Sequence, residues 1–367
     1  MPKEVDLQSE AFEIPDTVEG ATNLFFARGW TDGLPIIPPT EERVRAMLRY
    51  TDRDPDEVVG VLPPRQGEAT VEKIAINAVM AGCQPEYLPV LIAAVEGIAE
   101  TDFSLYMVLT ATHGLSPLAM VNGPMVKELK INFGYNTLGE GIRSNATIGR
   151  AIQLIVWNIA GIPGRTNVDT HGAIVRYHHI MAENEDQNPW EPLHVERGFD
   201  AETSCVTVFG AEPPQHMDVM GSTTAQGVAI SLANTMPGPA CRCYQEFSEP
   251  LIVLCPSHAG TIANGGFSKA DFKRFIYEHA RLPLSKYDAE DFAKIAQWRN
   301  PKWYTNLPLD STIPIAEKPD DITVVVSGGA GTHSLFIPQQ VTVKSQTKPI
   351  TFKDGTPVKS VKDFSKR

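Results

Sequence analysis

The sequence predicts an α/β protein of two lobes, each built on a mainly parallel or mixed sheet flanked by helices, with an active-site crevice between the lobes. Short apolar runs without polar alternation lead to this prediction, because such runs suit strands that are buried on both faces. Each run stops at a turn of small or chemically active residues, and ligands of open α/β sheets bind beyond the carboxyl ends of the strands. The runs are 118–121, 205–209, 251–254 and 322–326.

The chain of 367 residues is long enough for a large core and for two lobes. We expect an N-terminal lobe, a loop-rich segment between the lobes, a C-terminal lobe and a basic extension with a strand or two, at 341–343 and 350–352. Glycines and prolines mark the segment between the lobes, and lysines mark the extension. The respective ranges are 1–165, 166–203, 204–340 and 341–367.

Apolar residues at helical spacing and capping residues at the segment ends predict helices in both lobes. Thr70 has the position of an N-cap, and Ser268 with Asp271 forms a capping pair. Two further strands are expected at 58–62 and 103–110. The predicted helices are 17–30, 41–48, 70–82, 86–99, 146–160, 223–235, 257–264 and 268–281.

Charge and cysteine usage exclude several classes of protein. The net charge of -12 argues against a nucleic-acid surface, which needs a basic face. No apolar stretch approaches the length of a membrane span, and the start of the sequence lacks the pattern of a signal peptide. Five scattered cysteines do not resemble the disulfide framework of a secreted domain. These features predict a cytoplasmic protein that acts on a small molecule, as a homo-oligomer or with a small partner subunit.

Polar residues and glycines that follow the apolar runs are the first candidates for contact with a substrate. Asn122 follows the first run, and His258 follows the third. Gly328 and Gly329 follow the fourth run and are succeeded by His333. Glycines allow close backbone approach to a ligand, but the spacing here does not fit a dinucleotide-binding loop. We expect these residues to converge on one crevice with the histidines in catalytic roles.

A glycine-rich segment at 139–150 leads into a predicted helix and contains two arginines. Arg143, Asn145 and Arg150 flank the start of that helix, where free N–H groups and positive charge favour an anion. The alternative is ordinary capping, by Ser144 or Asn145, with arginines on the surface.

Histidines and carboxylates concentrate at 170–185. His179 and Glu183 would share a helix face at i, i+4, a spacing that can ligate a divalent metal. His171, Glu185 or His194 would then supply the third ligand that such a site requires. The alternative that we favour is that Glu183 and Glu185 exchange protons as a general acid/base pair.

Three cysteines offer thiol chemistry. Cys83 lies just before a predicted helix, whose N-terminal field would lower the pKa of the thiol and create a nucleophile, with His113 or Glu72 as its partner. The alternative is an inert core cysteine. Cys241 and Cys243 form a close pair that could bind a metal or change redox state, but incidental cysteines in a solvent-side loop are favoured.

Several strings of this sequence resemble a known bacterial family. They are RGWTDGLP at 28–35, EKIAINAVMAGC at 72–83, NATIGR at 145–150 and AENE at 182–185. The chain resembles the UGSC (seleno)protein family over most of residues 20–335, as a long form that lacks the redox motif. The residues that match the family pattern are Glu72, Lys73, Asn77, Cys83, Asn145, Arg150, His171, Glu183 and Glu185.

The family name refers to a selenocysteine or cysteine followed by Gly-Ser-Cys, which implies thiol or selenol redox chemistry. The nearest string in this chain, MGST at 220–223, has no sulfur or selenium nucleophile at either end. The resulting hypothesis is a lyase or hydrolase that uses acid/base chemistry on a carboxylate-bearing substrate. The alternatives are a thiol- or metal-dependent redox enzyme and a non-catalytic subunit that binds a small redox protein.

Overall fold

A computed structural model describes residues 6–14, 17–161, 170–172, 180–298, 307–339 and 343–366. Helices and mixed sheets make up these residues, which confirms the predicted α/β class. The helices are α1 Val18–Arg28, α2 Glu41–Leu48, α3 Val71–Ala81, α4 Leu88–Ala99, α5 Leu105–Thr110, α6 Met125–Glu128, α7 Arg143–Ile155, α8 Leu193–Glu196, α9 Ala225–Thr235, α10 Arg242–Glu246, α11 Pro256–Asn264, α12 Lys269–His279 and α13 Ala289–Trp298. The strands are β1 Val58–Leu62, β2 Gly67–Thr70, β3 Ser116–Asn122, β4 Ile180–Ala182, β5 Cys205–Ala211, β6 Gln215–Asp218, β7 Leu251–Leu254, β8 Arg281–Pro283, β9 Thr312–Pro314, β10 Thr323–Val326, β11 His333–Ile337 and β12 Gln346–Pro349.

The chain divides into two compact units, each made of segments that are distant in sequence. Unit 1 contains Met1–Ala182, His194–Gly210 and Ser345–Arg367, and unit 2 contains Glu183–Leu193 and Ala211–Lys344. These limits differ from the predicted ones, because 183–193 belongs to unit 2 and the C-terminal residues belong to unit 1. Both differences arise from pairing between distant segments, which local sequence patterns do not reveal.

Unit 1 contains a sheet with the strand order β12-β5-β3-β4. β3 and β4 are parallel, and β12 runs antiparallel to β5. Every residue of β3 and β5 is buried, as expected for apolar runs without alternation. Helix α4 packs closely on β5, since a Cβ added at Gly97 would lie 2.7 Å from a methyl group of Val208.

Unit 2 contains a second sheet with the order β10-β7-β11-β6. β10 and β7 are parallel, whereas β11 runs antiparallel to both of its neighbours. Helices α9, α11 and α12 contribute apolar residues to the core that covers this sheet. The four apolar runs therefore belong to two sheets, two runs in each.

The segment 103–110, predicted as a strand, is a helix. Ser104 has a positive φ of 53°, and α5 begins at the next residue. Leu105, Val108 and Leu109 are its buried residues, at i, i+3 and i+4 spacing. A short apolar run fits either structure, and here the helical period decides.

The helix predicted at 146–160 begins earlier, at Arg143, and neither Ser144 nor Asn145 caps it. Its N-cap is Ile142, which makes no side-chain capping bond. The C-terminal extension also differs from expectation. Its strand is β12, at Gln346–Pro349, which lies between the two expected segments. Residues 341 and 342, part of one expected strand, lie outside the described residues.

Two predicted caps are confirmed. The Thr70 side chain accepts a hydrogen bond from the backbone N–H of Lys73 at the start of α3. Ser268 and Asp271 form a reciprocal capping box at the start of α12. Among the residues described, no helix combines the length and the apolar character that crossing a bilayer requires.

Candidate functional site

The polar residues of unit 2 gather at one edge of its sheet. β7 and β10 are parallel and end there, and the register pairs Val326 with Leu254. β11 begins at the same edge because it runs antiparallel to β7, and β6 ends there because His333 pairs with Asp218. We call the side chains at this edge the strand-end cluster: Asp218, Cys255, Ser257, His258, His333 and Ser334.

Helix α11 brings three members of the strand-end cluster into place. It begins one residue after Cys255, with Pro256 in its first turn, where proline suits the helix and needs no N–H partner. Cys255 is buried, and its thiol donates a hydrogen bond to the carbonyl of Gly331 at 3.2 Å. The N–H of Gly331 donates to Ser257 Oγ at 3.1 Å. The start of the helix is thus bonded to the loop that follows β10.

His258 is the most enclosed member of the strand-end cluster that can exchange a proton near neutral pH. Only 4% of the residue is exposed, and its Nδ1 lies 2.8 Å from Ser334 Oγ. Ser334 Oγ also accepts the backbone N–H of Cys255 at 3.1 Å. Within the described part of the chain, the other ring nitrogen, Nε2, is buried and makes no hydrogen bond of 3.5 Å or less, and the Val219 backbone interacts with the ring more weakly.

Burial lowers the pKa of His258 below its usual value of 6.5. The backbone of Val219 acts in the opposite direction, His333 lowers the pKa further, and Asp218 raises it. The net lowering means that the imidazole of His258 is neutral at neutral pH. The effects of His333 and Asp218 also place both groups within electrostatic reach of the ring.

His333 and Asp218 form an exposed pair beside His258. His333 Nδ1 lies 3.4 Å from Asp218 Oδ1, and about half of each side chain is accessible to solvent. The ring of His216 stacks against His333 at 5.8 Å between centroids. His333 was predicted in the turn after the fourth run, but it is the first residue of β11, a strand that sequence patterns did not indicate.

The loop between β10 and β11, here the glycine loop (residues 327–332), crosses the same edge. Gly328 has a positive φ of 94°, which favours glycine. A Cβ added at Gly328 or Gly331 would meet no atom within 4 Å, so a ligand can approach the backbone there. The Asn184 N–H donates to the carbonyl of Val326 at 2.7 Å, which ties residues 183–193 to the start of the loop.

Glu183 is buried, with 1% of its surface exposed, and both of its carboxylate oxygens accept hydrogen bonds. One oxygen accepts Asn188 Nδ2 and the other accepts the backbone N–H of Leu193, each at 2.8 Å. Glu185 is partly exposed. The geometry of Glu183 is that of a carboxylate that holds its own loop, 183–193, and the start of α8.

The arginines that were predicted to bind an anion are bonded within unit 1. Arg150 makes two hydrogen bonds of 2.9 Å to the carboxylate of Asp32, and Arg143 donates to the carbonyl of Gly82. Burial raises the pKa of Asp32, but the hydrogen bonds and charge of Arg150, together with hydrogen bonds from the Leu34 backbone and the Thr31 side chain, outweigh burial, so the pKa is lowered overall. Arg150 is therefore already neutralised by a carboxylate.

Asn145, the third residue predicted at this anion site, is buried and holds a neighbouring loop. Its Oδ1 accepts the N–H of Asn132 at 2.7 Å, and its Nδ2 donates to the carbonyl of Thr137 at 3.2 Å. Strings that carry the family resemblance thus meet around α7, where their side chains bond to backbone groups. Trp157 and Asn158 add bonds to the carbonyls of Gly29 and Trp30.

The expectation that the pKa of Cys83 is lowered is wrong. Burial raises the pKa of the thiol to about 12, and this effect exceeds the opposing effects of Thr147, Arg143 and Arg150. Only 7% of Cys83 is exposed. The thiol is protonated at neutral pH, which matches the alternative of an inert core cysteine.

Asn122 and His171 belong to unit 1 and not to the unit that contains His258 and His333. Asn122 is fully buried at the end of β3, and the backbone of the following turn packs against Ser204, which a Cβ at Gly123 would meet at 2.7 Å. His171 is exposed in the short described segment 170–172. Within unit 2 the structure brings together His258, His333, Gly328 and Gly329.

The metal hypothesis rests partly on residues outside the described ranges, since His178 and His179 are not described. Among the residues that are described, no group of three or more histidine, cysteine, aspartate or glutamate side chains is arranged to hold a metal ion. Cys241 and Cys243 are buried, with 7% and 0% exposed, so the expectation of a solvent-side loop is wrong. Ser248 donates a hydrogen bond to the Cys243 sulfur at 3.0 Å.

Asp218, Ser257 and Ser334 were missed by sequence reasoning. Asp218 and Ser334 lie on the strands QHMD at 215–218 and HSLFI at 333–337, in which polar and apolar residues do not alternate. The sequence therefore carried no period-2 signal for either strand, and pairing with distant segments forms them. Ser257 directly precedes His258 and could have been found as a hydroxyl at the start of a helix.

Comparisons with protein-family models, with curated proteins and with solved structures found no match to this chain. The resemblance to the UGSC family therefore stays a prediction, carried by the strings quoted above. The site must be interpreted from its own geometry.

Proposed function

We propose that the strand-end cluster is the active site of a small-molecule enzyme, a lyase or hydrolase that uses acid/base chemistry on a carboxylate-bearing substrate. The observation that carries this proposal is the neutral, buried His258, whose Nε2 lacks a hydrogen-bond partner among the described residues. A buried polar atom without a partner costs stability, and such groups concentrate where a fold serves a function. The neighbouring His333 and Asp218 provide a second proton-transfer group.

The two histidines have different environments and so suit different roles. His333 is exposed, and its Nδ1 lies 3.4 Å from Asp218 Oδ1, so we assign to His333 the role of accepting a proton from the substrate. His258 is neutral and enclosed, so it is suited to donate a hydrogen bond to a substrate oxygen. Pairs of titratable groups with contrasting environments are typical of acid/base sites.

The glycine loop supports the choice of an anionic substrate. Its open approach at Gly328 leaves room for a carboxylate beside the backbone, whereas the N–H of Gly331 is used by Ser257 Oγ. Cys255 and Ser257 anchor the loop to the start of α11, whose N-terminal field also favours negative charge. The partners proposed for this chain are the substrate and a second copy of the chain or a small subunit, and we place the enzyme in the cytoplasm.

The test is proton exchange measured by NMR in deuterated water. The full chain is incubated with small 2-hydroxy, 2-oxo and dicarboxylic acids, and loss of the signal of hydrogens next to the carboxylate is followed. We expect exchange or turnover of at least one acid, with loss of at least tenfold in His258→Gln and in His333→Gln. His279→Gln is the matched control, because His279 is exposed on α12, away from the strand-end cluster, and its Nδ1 bonds only to a backbone carbonyl of its own helix.

Two results would refute the proposal: no exchange with any acid of the panel, or full activity in both variants at the strand-end cluster. A thiol-dependent redox enzyme is the second candidate from the sequence. The raised pKa of Cys83 removes its main support, and Cys241 with Cys243 would have to react from buried positions. We therefore place acid/base chemistry first.

A further inference from the structure

Ser334 decides which nitrogen of His258 carries the proton. Its hydroxyl oxygen accepts the backbone N–H of Cys255 at 3.1 Å, and a backbone N–H can only donate. The same oxygen lies 2.8 Å from His258 Nδ1. Ser334 is 1% exposed, so its hydroxyl hydrogen has no access to solvent. Within the described residues, Nδ1 is the acceptor that this hydrogen can reach.

The two neutral forms of the His258 ring differ in how many buried polar groups they leave without a hydrogen-bond partner. If Ser334 donates to Nδ1, then the proton of His258 is on Nε2, and only that N–H lacks a partner. If Nδ1 instead donates to Ser334, then both the hydroxyl hydrogen and the Nε2 lone pair lack partners. Each buried unsatisfied group costs stability, so the first form, which leaves one such group, is favoured over the second, which leaves two.

We propose that Ser334 fixes His258 as the neutral imidazole with its proton on Nε2, so that His258 meets the substrate as a hydrogen-bond donor to a carboxylate or carbonyl oxygen. The statement about the substrate rests on the proposed function, whereas the statement about the ring does not. Ser334 acts through His258 and is therefore a positioning residue. The inference assigns opposite roles to the two histidines: His258 donates to an oxygen, and His333 accepts a proton.

At the edge of the sheet, Ser334 links a strand to a helix through a chain of hydrogen bonds. Ser334 follows His333 at the start of β11, and Cys255 is the N-cap of α11. Strand β11 and helix α11 thus each contribute one group to a chain that runs from the Cys255 N–H through Ser334 to His258. Such a chain polarises each bond in one direction and presents the Nε2–H of His258 at its end.

The first experiment reads the ring directly. The full chain is labelled with ¹⁵N in its histidine rings, and long-range ¹H–¹⁵N correlation spectra are recorded near neutral pH without ligand. The spectrum of His258→Gln identifies the His258 signals. We expect a protonated, pyrrole-type Nε2 and an unprotonated, pyridine-type Nδ1. The reverse pattern, or protonation of both nitrogens, overturns the proposal.

Substitutions of Ser334 separate positioning from simple packing. Ser334→Ala removes the hydroxyl donor, and we expect the two ring nitrogens of His258 to move toward averaged shifts. Ser334→Thr keeps the hydroxyl and should restore the separated shifts. Unchanged ring signals in Ser334→Ala would overturn the positioning role. If Ser334→Ala fails to fold, the pattern in the unmodified chain and in Ser334→Thr still decides the tautomer.

The last experiment tests the substrate class with malonate and pyruvate as probes and ethylammonium as the control cation. The Nε2–H signal of His258 should move with at least one of the acids and stay in place with ethylammonium. An unmoved signal with both acids overturns the donor role. If the tautomer and the acid response appear but no acid exchanges protons, then the proposed function fails and this inference stands. If turnover is found with the reverse tautomer, then the inference alone fails.

Discussion

Glu183→Gln tests whether this carboxylate holds the fold or exchanges protons. In the structure both oxygens of Glu183 accept donors, Asn188 Nδ2 and the Leu193 N–H. Glutamine keeps one acceptor oxygen and presents an amide NH₂ to the remaining donor. Asn188 cannot reverse its own amide without loss, because its Oδ1 already accepts the Trp190 N–H at 3.0 Å. The substitution therefore forces a donor against a donor in a buried position.

The expected destabilisation follows from these two bonds. A hydrogen bond to a charged group contributes about 1.5–3 kcal/mol, and a buried donor left without a partner costs about 1–3 kcal/mol. Since one of the bonds survives, we expect Glu183→Gln to lower the free energy of unfolding by about 2–4 kcal/mol. Urea unfolding measures this change, with Glu278→Gln as the control, because Glu278 is exposed on α12. A loss below about 0.5 kcal/mol, the range of ordinary surface substitutions, would refute the structural role of Glu183.

Four further predictions follow from single features of the structure. Gly67→Ala should destabilise the protein by about 3 kcal/mol in urea unfolding, since its Cβ would lie 1.9 Å from the carbonyl oxygen of Ile159; a tolerated substitution would contradict this packing. Gly260→Ala should stabilise the protein by about 0.5–1 kcal/mol, because residue 260 is inside α11 and its Cβ would meet nothing within 4 Å; a lower melting temperature would count against it. Iodoacetamide should add no adduct to the native chain in intact mass spectra, since the five cysteines are buried and the pKa of Cys83 is raised to about 12; rapid labelling of Cys83 would restore the nucleophile hypothesis. The pKa of Asp32 is lowered, so its contribution to stability is present above pH 3.8 and is lost as the pH falls through the folded-state pKa. When the free energy of unfolding is measured against pH, Asp32→Asn should flatten the decrease on the acid side. An unchanged decrease would exclude the pair with Arg150 as its cause.

The sequence predicted those elements whose signals are local. The Ser268–Asp271 capping box and the Thr70 cap use residues three positions apart, so the chain needs no distant partner to form them. The buried strands β3, β5, β7 and β10 were recognisable because a strand covered on both faces must be apolar throughout. Helix α5 was assigned wrongly because six residues are too few for an apolar run to distinguish a strand from a helix.

The site was predicted in part, for reasons that lie in long-range pairing. His258, His333, Gly328 and Gly329 come together because β7 and β10 are parallel neighbours, a relation that the sequence suggested. Asn122 belongs to the sheet of unit 1, in which β3 pairs, and strand partners depend on contacts between distant residues. The error at Cys83 has a different cause. Burial sets the pKa of a thiol, and a position near a helix start does not report burial.

Hydrogen-bond satisfaction separates the candidate residues more clearly than their chemical type does. Glu183 and Arg150 are charged residues of the kind that catalysis uses, yet their polar atoms are occupied by groups of their own unit. Such groups stabilise the fold, and using them for chemistry would break the hydrogen bonds that they make. His258 differs because one nitrogen is satisfied and the other is enclosed without a partner in the described residues. Since the fold bears that cost at the carboxyl ends of two parallel strands, where α/β proteins bind ligands, the unsatisfied nitrogen is the strongest argument for a substrate at this edge.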